Sequence, residues 1–129
     1  MDAISEKFLI GVHPDLVKVM REASKRVSFR VYEGVRSIET QRLYFKRGAS
    51  KIDPDNPKHV KGRHLTGHAV DIIPLVNGKG RFDWPLYHAI APVIKQVAKE
   101  HGIDIVWGGD WKKFPDGPHF ELSYTKYPA

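Results

Sequence analysis

The chain has 129 residues, of which 41% are hydrophobic and 28% charged, and its formal net charge is +6. That length and balance fit one soluble globular domain with a real core, too small for a catalytic domain plus a separate binding module, and they exclude a disordered chain. Cysteine is absent, which excludes a disulfide framework, a thiolate metal site and a cysteine nucleophile; the basic balance predicts attraction to polyanions without naming one.

The opening "MDAISEKFLIGVHPD" lacks a basic segment followed by a long apolar run. No later stretch is apolar enough to span a bilayer, so a cytoplasmic product without a secretion signal of its own is expected. Pro14, with Leu16, Val17, Val19 and Met20 at helical spacing, predicts a helix over residues 14–26. "VSFRVYEGV" alternates toward Gly34 as a half-buried strand does. "SIETQRLYFKRG" follows with a Ser37 cap, apolar Ile38, Leu43 and Tyr44, and a terminating Gly48, which predicts a second helix. Residues 49–61 carry two prolines without periodicity and predict a mobile loop.

"AVDII" is the next strand, ended by Pro74, and "VNGKGRFDWP" is turn-rich. A longer helix is expected from Asp83 or Trp84 through Glu100, closed by Gly102, with a turn or kink at Pro92. "IDIVWGG" and "HFEL" predict two last strands around the turn-rich "DWKKFPDGP". The order fits an α+β domain: a small, mainly antiparallel sheet with helices packed on one side.

In "AVDII", Ala69, Asp71 and Ile73 share one strand face and Val70 and Ile72 the other. Burying an unpaired carboxylate costs several kcal/mol, so Asp71 needs a cation or strong donors. His64 and Asp71 would point to opposite faces of one straight strand, but Gly67 between them can bend the chain and let them converge. "PHFEL" puts His119 and Glu121 on one face, which suggests His119 as a third ligand. Two imidazoles and one carboxylate form a catalytic type of zinc set, with the fourth position left for water. Taken singly, His64 also fits a solvated or structural loop histidine, and Asp71 fits a turn cap or a partner for lysine or arginine.

"GRHLTGHAVD" is similar to the Ser-x-His-x-x-Gly-x-Ala-x-Asp signature of the zinc D-alanyl-D-alanine peptidase family. "WGGDWKKFPDGPHFEL" resembles that family's Trp-Gly-Gly-Asp-Trp and Asp-x-x-His segments, and "YEGVRSIETQRLYFKRG" its arginine-bearing segment. In size the chain matches the single-domain endolysins of bacteriophages that infect Gram-negative bacteria, which cleave the L-alanyl-D-glutamate bond of peptidoglycan stem peptides. The resemblance implies a Hedgehog/D-Ala-D-Ala peptidase-like fold and a single catalytic domain over residues 1–129 without a separate wall-binding domain. It also implies Zn2+ held by His64, Asp71 and His119, a catalytic carboxylate at Asp116 and a transition-state arginine at Arg36. Gly62 departs from the signature, which has serine there.

A carboxylate three residues before His119 can reach the open side of a metal, where Asp116 would take a proton from water and pass it to the leaving amine. Asp-Gly is also an ordinary turn pair. Arg36 would stabilise the oxyanion beside zinc; otherwise it is a surface arginine pairing with Glu33 or Glu39. Glu121 is expected to orient an imidazole. His68 has no catalytic role, because a fourth protein ligand would close the metal to water. Trp107 and Trp111 are candidates for cleft lining, with core packing expected for at least one, while His13, His59, His88 and His101 read as ordinary surface or partly packed residues.

The expected partner is peptidoglycan, with no nucleic acid, no stable membrane association and a monomeric state. The resemblance places the protein in the host cytoplasm before lysis, acting on periplasmic peptidoglycan. Two alternatives stand beside this reading: a D-alanyl-D-alanine carboxypeptidase or dipeptidase sharing the zinc chemistry, and a non-catalytic basic binding module with salt-sensitive binding.

Overall fold

Alternation decides the architecture, because the strands that carry the conspicuous histidines and aspartate also supply the core on their opposite face. The computed structural model describes residues 1–53, 55 and 62–128. In chain order it contains α1 (Ala3–Phe8), α2 (Pro14–Ala23), β1 (Phe29–Glu33), α3 (Ile38–Lys46), β2 (Ala69–Val76), β3 (Lys79–Gly80), α4 (Trp84–Glu100), β4 (Ile105–Trp107) and β5 (His119–Leu122). A 3-10 turn spans Gly108–Asp110. The sheet runs β1-β2-β5-β4, with β3 paired to β2, and every pairing is antiparallel.

Val70, Ile72, Phe120 and Leu122 are fully buried on one face of β2 and β5. They meet Leu16, Val19 and Met20 of α2 and Ile90, Ile94 and Val97 of α4 in one core. Tyr87 of α4 joins that core, and its hydroxyl donates to the Ile72 carbonyl at 2.9 Å. The α+β class and the mainly antiparallel sheet therefore match the sequence expectation.

The elements depart from it at several points. α1 precedes the expected first helix, capped by Asp2, whose carboxylate accepts from the Ser5 amide at 2.7 Å. α2 stops at Ala23, three residues before the expected end. β2 continues through Pro74 to Val76. A proline is tolerated there because its nitrogen faces the side on which β5 has already ended, while its carbonyl accepts from Arg81 N at 3.0 Å. Asn77 and Gly78 both have positive φ, 53° and 77°, and close a tight β2–β3 hairpin inside the stretch read only as turn-rich.

α4 runs from Trp84 to Glu100 with Pro92 inside it, so the helix does not end at the proline. α3 forms, with Ser37 as its cap, but Ile38 and Leu43 are exposed and the buried residue is Gln41. The expected loop over residues 49–61 lies largely outside the described residues, as does His59. Among the described residues no helix is long and apolar enough to cross a membrane.

Candidate metal centre and active site

The cleft lies on the sheet face opposite the core. Asp71 and His119 are directly opposite each other on β2 and β5. Ile72 N donates to Pro118 O at 2.9 Å, which makes Asp71 and His119 a non-hydrogen-bonded pair, the kind whose side chains stand closest together. His64 precedes β2 in a series of turns, and Gly67, at φ 78°, reverses the chain between it and Asp71. The Gly67 Cα sits so near the Gly11 carbonyl that a Cβ there would lie 2.7 Å from its oxygen.

His64 Nε2 and His119 Nδ1 lie 3.2 Å and 3.4 Å from the same oxygen of Asp71. Donor atoms of the three residues all fall within 4.8 Å of one another, and all three side chains are buried. The remaining nitrogen of each imidazole is anchored. His64 Nδ1 donates to Gly34 O at 2.9 Å, and His119 Nε2 donates to Glu121 Oε1 at 2.8 Å. These outer contacts decide which nitrogen each ring presents to the centre. Two imidazoles, each with its orientation fixed from behind, and a carboxylate aimed at the same point fit a divalent transition metal with an open coordination position.

Burial alone would raise the Asp71 carboxyl, but hydrogen bonds from His119 and His64 outweigh it and hold the group far below the ordinary carboxylate range. For His119, burial would favour the neutral ring. Hydrogen bonds to Asp71 and Glu121 win, and its pKa is raised to about 9.

Asp116 and Arg36 line the same cleft, of about 760 Å³, with Gln41, Tyr44, Trp111 and Tyr124. Asp116 is half-buried, and its pKa is raised by that burial and then by the negative charge of Asp71, with partial relief from His119, His64 and Arg36. Its loop is held by Asp116 N donating to Gly108 O at 2.9 Å. Gly108 makes that approach possible, since a Cβ there would lie 2.5 Å from the Asp116 carbonyl oxygen and 2.9 Å from His119 Cβ.

Arg36 follows β1, where its amide donates to His64 O at 3.0 Å. Its Nε donates to Glu33 at 2.6 Å and its Nη1 to Gln41 Oε1 at 2.8 Å, while Nη2 lies 3.8 Å from Asp71 Oδ2. It does pair with Glu33, yet as a side chain only 10% exposed and turned into the cleft rather than on the surface.

The other candidates fall outside the centre. His68 turns away to Thr66 Oγ1, 2.7 Å distant. Trp107 is core, its indole N–H bound to Gly117 O at 2.7 Å, whereas the partly exposed Trp111 lies 5.0 Å from the His119 ring and lines the cleft. His13 accepts from Asp15 N as the cap of α2, and His88 packs between Trp84 and Trp107.

Two residues of the site were not singled out by sequence reasoning. Arg63 is buried beside His64, donating to Leu122 O and Tyr127 O, with Nε 3.7 Å from Glu121 and its cation over the Tyr124 ring. Its adjacency to His64 is the one available signal. Gln41 had none, because a lone glutamine on a helix reads as solvated.

The sequence matches the family described as phage L-alanyl-D-glutamate peptidase over residues 1–123. It is 34% identical to the L-alanyl-D-glutamate peptidase of Escherichia phage T5, over 95% of this chain and 88% of that one. It is 33% identical to the L-alanyl-D-glutamate peptidase of Listeria phage A118, over 81% of this chain and 34% of the longer relative. Among solved structures, the L-Ala D-Glu endopeptidase ChiX of Serratia marcescens is similar with a TM-score of 0.90 and 44% identity, covering all of this chain and 93% of that one. The vancomycin-resistance D,D-dipeptidase VanXYg is similar in fold alone, with a TM-score of 0.50 and 18% identity over 84% of this chain and 47% of that one. With a match that spans nearly its full length, the chain belongs to the phage L-alanyl-D-glutamate peptidase family.

Proposed function

We propose that the protein is a zinc-dependent endopeptidase that hydrolyses the L-alanyl-D-glutamate bond of peptidoglycan stem peptides, with residues 1–129 acting as one catalytic domain. The observation that carries the reading is the convergence of His64 Nε2, His119 Nδ1 and the Asp71 carboxylate at one point of the cleft. The choice of bond is supported by the family and by relatives that are L-alanyl-D-glutamate peptidases.

His64, Asp71 and His119 would hold the ion. When bound, zinc supplies positive charge that acidifies water to a pKa of about 7 and polarises a carbonyl. Asp116 takes a proton from the water that adds to the L-alanyl carbonyl. As the C–N bond breaks, Asp116 returns that proton to the departing D-glutamyl amine, leaving an L-alanyl carboxylate. Arg36 faces the developing oxyanion through Nη2, the part of its guanidinium directed toward Asp71. As an endolysin the protein would accumulate in the host cytoplasm, reach periplasmic peptidoglycan through a separately made membrane lesion, and act there as a monomer without nucleic acid.

The test is digestion of defined peptidoglycan fragments with and without chelator, read by mass spectrometry. New L-alanyl carboxyl and D-glutamyl amino termini, lost on chelation and restored by zinc, are expected. Release of free D-alanine would make it a D,D-peptidase, and absence of products at every metal load would leave a wall-binding protein. Asp116→Ala is expected to retain zinc and fold while hydrolysis falls below about a hundredth of the parent rate, the scale of a lost general base; full activity in that variant would remove Asp116 from the mechanism.

A further inference from the structure

Gln41 is the one residue of α3 that is buried, at 1% exposure, and its amide is fully used. Oε1 accepts from Arg36 Nη1 at 2.8 Å, while Nε2 donates to Ser50 Oγ at 2.9 Å and to Ile52 O at 2.8 Å. Ser50 Oγ accepts in turn from Ile52 N at 3.2 Å. The three contacts also fix the amide's orientation, because a flipped group would set its NH2 against the guanidinium and its oxygen against a carbonyl.

Arg36 therefore has three supports. Glu33 takes Nε, Gln41 takes Nη1, and the Tyr44 ring lies 4.5 Å from the guanidinium carbon. What they leave is Nη2, aimed at the cleft. Residues 50–52, at the far end of the Gln41 amide, are a wall of that same cleft. Gly62 lies on this network too: a Cβ there would stand 3.9 Å from Gln41 Oε1 and 3.6 Å from Ile52 Cδ1. With glycine in place of the serine of the related signature, no hydroxyl from that position reaches for Oε1, and the oxygen is committed to Arg36.

We propose that Gln41 is a positioning residue that sets the aim of Arg36 and the stand of the 50–52 wall as a single unit, so that the oxyanion group and one side of the substrate cleft are placed together. This rests on the role given to Arg36. A purely structural Gln41 would affect stability and activity without regard to whether Arg36 is present.

The experiment is a double-mutant cycle of Gln41→Met and Arg36→Ala in the zinc-loaded full chain, with kcat and KM measured on a soluble disaccharide-peptide and zinc affinity measured by chelator competition. Gln41→Met is expected to lower kcat about tenfold, on the order of one lost hydrogen bond to a charged group, with zinc affinity unchanged. In the Arg36→Ala background it should change kcat less than about twofold. Gln41→Glu keeps an acceptor for Arg36 but loses both donors to the wall, so kcat should fall less than in Gln41→Met while KM rises. Independent, multiplicative losses of kcat would overturn the coupling while leaving Arg36 in the mechanism. Unchanged kcat in Arg36→Ala alone would overturn the arginine's role and this inference with it. Should Gln41→Met fail to fold, Gln41→Glu decides against the parent: a rise in KM with kcat within about threefold is expected, and a loss of kcat of about tenfold or more without a rise in KM would refute the proposal.

Discussion

In the proposed centre, His119 would offer a divalent metal the same lone pair that a proton takes in its absence. In the metal-free protein, burial opposes the imidazolium, but Asp71 and Glu121 outweigh it and the ring stays protonated to about pH 9. A raised folded pKa contributes stability that is complete below the unfolded value, about 6.5, and lost as pH climbs through 9. The metal-free protein is therefore expected to lose stability across that window. The zinc form, in which metal replaces the proton, should not, so the gap between their melting temperatures should widen from pH 6.5 to 9. Calorimetry at pH 7 in buffers of different ionisation enthalpy should also find a proton released on zinc binding. A constant melting gap and no buffer dependence would contradict the coupling. Gly108 gives a second prediction at this scale. Gly108→Ala must push against both the Asp116 carbonyl and His119 Cβ, so zinc affinity and turnover should fall together, each by about tenfold or more on the scale set by small displacements of catalytic groups. Chelator competition alongside kcat checks it, and loss of turnover alone would mean that only the Asp116 loop had moved.

Proline inside α4 is tested through the helix itself. Pro92 is exposed, lacks an amide hydrogen, and crowds the preceding turn, yet the helix continues through it. Pro92→Ala should therefore raise unfolding stability by about 1 to 3 kcal/mol, measured by urea denaturation at fixed zinc; an unchanged or lower midpoint would show that neighbouring side chains had adapted to the ring. Which elements the sequence discloses follows from the same kind of local reasoning. The donors on β2 and β5 were legible because alternation and Gly67 act within a few residues, and Asp71 was conspicuous among apolar neighbours. Pro74 misled because its acceptability depends on where β5 ends, a fact written some 45 residues later. The β2–β3 hairpin carried its Asn-Gly signal in plain view. Gln41 could not be anticipated: its burial is imposed by Arg36 on one side and Ser50 and Ile52 on the other, partners that meet only after the chain has folded.

For the molecule as a whole, a net charge of +6 and a sequence pI near 9.6 act beyond the cleft. Exposed pairs such as Arg21–Glu6 and Arg26–Glu100 stabilise the fold little. Under the proposed function, the net positive excess would provide long-range attraction to a polyanionic wall, which salt screens over a Debye length of about 10 Å at 0.1 M. Hydrolysis of intact sacculi should fall steeply between low and physiological salt, whereas a small soluble fragment should be cut at a nearly constant rate. Turbidity clearance beside fragment assays makes the comparison, and parallel salt curves would assign the effect to the cleft.

The pairing of Asp71 with His119 also governs folding fidelity. Were β5 to zip against β2 one residue out of step, Phe120 and Leu122 would turn to the cleft face and His119 to the core, leaving apolar rings and chains outside and an imidazole within. Such a misalignment would abolish both solvent shielding and the proposed metal centre at a stroke. Correct assembly and the proposed chemistry are thus secured by one and the same alignment, and a chain that has folded faithfully has already set Asp71 beside His119.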